Sequence, residues 1–274
     1  MPRSFFYLLL TMCLFLSAIS LTSFGQERPS QISTRLRETG NWNGLYLRLR
    51  FAERFSYYGE HHLRFRNSED NLYDFVGRWR QIYNRFGIAI QISDNLEVII
   101  GPTLVLNFTP SPGNPNFETM VYEPRIWQQW LFSMNIDRIK VYHQFRFENR
   151  WRRSNAVGAT YNFTNRYRYK FLFYVPINKP KIDVGTWFIA PSAEIFMQSG
   201  DGIVTNPFED FRIYTGIGYI LNENVTFFGG HMWTFGQERS GFEYAQTHII
   251  RLNVFIGLDF RNVENKIPRI NIGD

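Results

Sequence analysis

Segment after segment of this chain alternates apolar and polar residues with a period of two, which calls for extended backbone with two chemically opposite faces. Residues 138–151 place Ile139, Val141, Phe145, Phe147 and Trp151 on one face and Lys140, Gln144, Arg146, Glu148 and Arg150 on the other. Residues 160–175 set Tyr161, Phe163, Tyr167, Tyr169, Phe171 and Phe173 against Asn162, Thr164, Arg166, Arg168 and Lys170. Leu45, Leu47, Leu49 and Phe51 alternate with Tyr46, Arg48 and Arg50, and the run ending Ile250, Leu252, Val254, Ile256, Leu258 and Phe260 opposes Arg251, Asn253 and Asp259. A helix would mix these two sets on every face.

The punctuation agrees. Short polar turns stand at Ser93-Asp94-Asn95, Asn135-Ile136-Asp137 and Asn222-Glu223-Asn224, and longer Gly/Pro/Asn-rich connections at 109–120, 198–208 and 237–244. Tight turns alternating with long loops are the rhythm of an up-and-down antiparallel sheet.

Eleven candidate strands fall near 42–54, 57–67, 72–92, 95–108, 121–134, 138–151, 159–175, 183–197, 209–221, 224–237 and 244–260. A globular strand has about five or six residues, whereas a tilted membrane-crossing strand needs about nine to eleven, and these lengths favour the second. An open sheet would leave unpaired backbone groups in hydrocarbon at several kcal/mol each, so the sheet must close. The expected fold is therefore an all-β, transmembrane up-and-down antiparallel β-barrel of about 12 strands (roughly 10–12), because bacterial single-chain barrels carry even numbers. Either residues 28–38 add a short strand, or segment 72–92 is mis-cut. Its apolar parity is odd at Tyr73, Phe75 and Trp79 but even at Phe86, Ile88, Ile90 and Ile92, as a bulge near Tyr83 or Asn84, or a missed turn, would produce.

The address is at the N-terminus. Arg3 precedes the apolar run FFYLLLTMCLFLSAISL and a small-residue stretch, which reads as a secretory signal cut after Gly25. The single cysteine, Cys13, sits inside that run, so a disulfide scaffold or cysteine metal cluster is excluded from the exported chain. Removing the signal lowers the formal charge of +6 by one, that of Arg3. The layout expected is a cleaved signal at 1–25, an N-terminal segment at 26–41, the barrel at 42–260 and a tail at 261–274.

TGNW at 39–42, YEPRIWQQW at 122–130, YHQFRFENRW at 142–151, AEIF at 193–196, FRIYTGIGYIL at 211–221 and THIIRLNVFIGLDF at 247–260 together resemble the uncharacterised outer-membrane barrel family named domain of unknown function 2490. The resemblance spans most of the exported chain, leaving the loop at 109–120 and the tail after Phe260 uncovered. It implies a bacterial outer-membrane β-barrel and brings no established activity, cofactor or catalytic residue.

The polar face is rich in arginine, at positions that include 48, 50, 64, 66, 78, 80, 125, 146, 150, 166, 168, 212 and 251. On a lipid face each would cost about 2–4 kcal/mol near the midplane, so they belong in the lumen. Glu123, Glu148, Glu194 and Asp259 share their parity. Two arrangements follow: the expected one is an electropositive, narrow or gated pore for small anionic solutes, and the alternative is an interior filled by Arg–carboxylate forks that serves envelope integrity or partner binding. The candidate lumen residues are Arg125, Arg146, Arg150, Arg166, Arg168 and Arg212 with Glu123, Glu148 and Glu194, and the constriction is assigned to Arg146, Arg150, Arg166 and Arg168. A pore would show arginines with no carboxylate in reach; a filled barrel would pair them.

A barrel enzyme acting on lipid is the other class. It needs a serine beside one of the histidines, His61, His62, His143, His231 or His248, and no spacing in the sequence establishes that. Adjacent His61 and His62 point to opposite faces and make a poor metal pair. No catalytic residue, metal ligand or cofactor is assigned. A nucleic-acid groove would put basic and aromatic residues on one face, whereas here they separate, so the partners expected are outer-membrane lipid, the insertion machinery and small anionic solutes.

Overall fold

The computed structural model describes residues 34–201, 203, 206–238 and 243–261. The signal segment at 1–25, residues 26–33 and residues 262–274 of the tail lie outside the described residues. The described residues are all-β: β1 (Thr34–Arg50), β2 (Phe55–Arg66), β3 (Arg78–Ser93), β4 (Leu96–Phe108), β5 (Met120–Ile136), β6 (Ile139–Arg152), β7 (Asn162–Pro176), β8 (Trp187–Ile189), β9 (Ser192–Gly200), β10 (Phe208–Ile220), β11 (Val225–Gln237) and β12 (Tyr244–Asp259). β1 pairs with both β2 and β12, so the sheet closes into a barrel.

These twelve strands occupy eleven positions, because β8 and β9 lie end to end between β7 and β10. Pro191, which has no N–H to give the ladder, sits at the break between them. An odd number of positions resolves the count in a way even-numbered reasoning does not reach. Each strand of a meander reverses the last, so the first and last of an odd set run the same way, and β1 meets β12 in parallel, with Trp42 opposite Arg251. Residues 34–38 extend β1 rather than forming a strand of their own, and the barrel begins at Thr34, not at residue 42.

Segment 72–92 contains both the loop and the bulge that its parity implies. Residues 67–77 form a connection, and the β2–β3 register steps from Arg64↔Gln81 to Phe65↔Trp79, which makes Arg80 the extra residue instead of Tyr83 or Asn84. From there inward and outward sides exchange, and Tyr83 and Arg85 point into the barrel.

One end of the barrel carries the connections 67–77, 109–119 and 153–161, with the C-terminal ends of β9 and β11. The other carries the tight turns 51–54, 94–95, 137–138 and 221–224 together with the segment 177–186. Asp137 supplies the left-handed backbone its turn requires, with φ 53°. The segment 177–186 folds inward, and its Ile182 and Val184 pack on an aromatic cluster that includes Tyr58, Trp127, Tyr142, Tyr174 and Phe188. That cluster fills the lumen toward the tight-turn end.

Candidate functional site

The inward face nearer the long loops is charged, and its centre is Glu148. β6 presents Arg146, Glu148 and Arg150 at successive inward positions. In register, β5 adds Gln129, Trp127 and Arg125, and β7 adds Arg168, Arg166 and Thr164. Arg125 thus stands directly opposite Arg150, and Arg146 opposite Arg168. Like charges so placed repel unless carboxylates intervene.

Carboxylates do intervene. The fully buried Glu148 carboxylate accepts from Arg125 at 2.8 Å, Arg168 at 2.9 Å and Arg85 at 3.0 Å, with Arg166 at 3.6 Å. Arg125 also holds Glu123 at 2.8 Å, Arg168 holds Glu194 at 2.6 Å, and Arg85 holds Glu60. Glu209 takes Arg150 at 2.9 Å and Arg166 through its Nε at 2.6 Å. Arg146 donates to Gln129 Oε1, which also accepts from Gln144 at 2.9 Å. Arg212 holds Asp210 at 2.6 Å. Charges this far from water persist only when paired and hydrogen-bonded, and the forks of arginine provide both.

Every residue assigned to the lumen from sequence therefore points inward, and the network joins Arg125, Arg150, Arg166 and Arg168 to Glu123, Glu148 and Glu194. Arg146 lies one layer toward the aromatic cluster, on Gln129 and 5.3 Å from the Trp127 ring centre. The sequence reading missed Arg85, Glu60 and Glu209. Arg85 lies beyond the Arg80 bulge that reverses parity. Glu209 is itself a bulge, the register stepping from Phe208↔Met197 to Asp210↔Phe196, so that Glu209 and Asp210 both reach inward-facing arginines.

The histidines divide between the faces. His62 is buried inside, 2.9 Å from Glu60, while His61 bonds Asn84 at 2.9 Å on the outer side. His143 meets Tyr169 at 2.8 Å and His231 meets His248 at 2.9 Å, both on the outer wall. None of these partners is a serine. At the long-loop rim Arg153 forks onto Glu118, holds its carboxyl below the usual carboxylate range, and ties the 109–119 loop to the 153–161 loop.

The outer face has the opposite chemistry. Its middle is aliphatic, with Leu63, Ile88, Ile100, Ile126, Ile213 and Leu252 exposed. Toward the long loops this belt is bordered by ring pairs Phe65–Trp79, Trp151–Phe163 and Phe235–Tyr244, with centres 4.4–5.2 Å apart. Toward the tight turns it is bordered by Phe171–Phe173 and Trp187–Tyr219. A family model described as "Protein of unknown function (DUF2490)" matches residues 39–245, and the chain belongs to that family. No curated protein and no solved structure is significantly similar to it.

Proposed function

For this member of the DUF2490 family we propose a transmembrane β-barrel of the bacterial outer membrane whose lumen is closed by its own side chains, serving the envelope as a structural or partner-carrying barrel. The observation that carries the reading is the inversion of the two faces. A water-soluble barrel buries its apolar residues inside, whereas here an aliphatic belt between two aromatic bands faces out and the ion pairs face in, as lipid requires. Most strands have 12–17 residues, which exceeds the length a tilted crossing needs. Eight-stranded barrels are filled by side chains and open aqueous channels need about 16–18 strands; eleven positions lined by arginine and tyrosine fall on the filled side.

A gated pore for small anionic solutes is the second reading, favoured by two inward arginines, Arg64 and Arg251, that enter no ion pair among the described residues. It needs the Glu148 network to part. On either reading the partners are outer-membrane lipid and the insertion machinery, and no catalytic step is assigned.

Five tryptophans, Trp79, Trp130, Trp151, Trp187 and Trp233, face outward, and Trp42 and Trp127 face inward. In liposomes of lipid brominated along the acyl chains, the expected result is quenching of most of the tryptophan emission, with the fraction from Trp42 and Trp127 left. A folded protein whose emission is the same in brominated and ordinary lipid does not span the bilayer.

A further inference from the structure

Trp42 is the midpoint of an inward row that crosses the closure of the barrel. The parallel β1–β12 pairing sets it beside Arg251, and the antiparallel β1–β2 pairing sets it beside Arg64. The Arg64 guanidinium carbon lies 4.0 Å from the centre of the indole, with Arg212 at 5.5 Å, Arg80 at 5.9 Å and Arg251 at 6.0 Å. Two of these four cations are answered, Arg80 by Glu38 and Arg212 by Asp210. The next carboxylate, Glu60, is held by Arg85 and His62.

Among the described residues Arg64 and Arg251 have only neutral partners. Arg64 donates to Gln81 Oε1 at 2.9 Å, and Arg251 donates to Tyr46 OH at 2.9 Å and faces the Tyr214 ring at 4.7 Å. Stacking on aromatic rings offsets part of a guanidinium's charge but accepts no hydrogen bond. The Nε–H of Arg64, the Nε–H of Arg251 and the indole Nε1–H of Trp42 are all buried without an acceptor among the described residues. Trp42 itself is 3% exposed. Two unanswered cations and three unanswered donors gathered on one ring form a surplus that an anion with several acceptor oxygens would complete.

We propose that Arg64, Arg251 and Trp42 Nε1 form a binding site for one small oxyanion, of the phosphate or carboxylate class, inside the lumen. Arg80, the member of this cluster nearest the long-loop end, has a side chain 30% exposed. Guanidinium forks suit an oxyanion's paired oxygens better than a spherical halide, so chloride is the poor ligand. The site stands whether or not the lumen conducts, and does not rest on the closed-barrel reading.

The test is calorimetric titration of the full folded protein in nanodiscs with inorganic phosphate, with acetate and with chloride. Saturable binding of about one phosphate or one acetate per chain, at least tenfold tighter than chloride, is the expected result, and the tighter of the two fixes the class. Arg64→Gln with Arg251→Gln should weaken it at least tenfold, and Trp42→Phe, which keeps an aromatic ring and removes the indole N–H, several-fold. Heat-modifiable gel mobility establishes that each variant is folded. Wild-type protein that takes up neither oxyanion better than chloride overturns the proposal by itself, as does a folded double-glutamine variant that binds as tightly as wild type.

Discussion

Replacing Glu148 by glutamine should destabilise the barrel by about 3–5 kcal/mol, the range for removing one partner from a buried ion pair. Four arginines converge on this carboxylate, and Arg125, Arg166 and Arg168 would be left to Glu123, Glu209 and Glu194, of which Glu209 already serves Arg150. Glutamine keeps the shape and one acceptor oxygen, so the loss reports charge rather than packing. Urea unfolding in detergent, followed by the shift in heat-modifiable mobility, measures it. Glu118→Gln is the control: its pair with Arg153 is at the exposed rim, where ion pairs contribute about 0–1 kcal/mol. A Glu148 effect no larger than the Glu118 effect would mean that water screens the lumen and that the network is not a dry closure.

The second large effect is on the outer wall. Ile126 and Leu252 are each 53% exposed, near the middle of β5 and β12 on separate parts of the barrel. In a bilayer, Ile126→Arg and Leu252→Arg should each cost about 2–4 kcal/mol, and residues this far apart in the sheet should add. On a water-facing wall the same changes would stay within about 0.5 kcal/mol. Reversible unfolding from lipid vesicles distinguishes the two, and near-neutral substitutions would show that the aliphatic belt does not face lipid.

How far the sequence discloses this molecule depends on whether the two-residue period survives locally. In β6 and β7 it runs unbroken from residue 139 to 152 and from 162 to 176, and the inward sets around Arg146, Glu148, Arg150, Arg166 and Arg168 can be read directly. In β3 one extra residue at Arg80 reverses the parity, and Arg85 is hidden from a reading that carries one phase through the segment. At Glu209 a bulge brings two neighbouring acids inward, which strict alternation forbids. The inward fold of 177–186 leaves no periodic trace, since Ile182 and Val184 reach the lumen from a connection rather than a strand.

The closure is the other limit. Strand count from turns and loops reaches eleven positions, but only the paired backbone establishes that β1 and β12 run parallel and set Trp42 between Arg64 and Arg251. Those residues stand far apart in the chain, and the register that joins them is a property of the completed barrel. The constituents of the lumen are thus legible one strand at a time, while the pairing of its charges is not.

The claim that an ion-pair network closes this barrel is tested most directly by planar-bilayer conductance of the purified, heat-modifiable protein. A lumen closed in this way leaves the membrane silent for wild type at moderate voltage. Stable, discrete conductance steps from wild-type protein would contradict it, and an anion-selective reversal potential under a salt gradient would assign the arginine-lined lumen to solute passage instead.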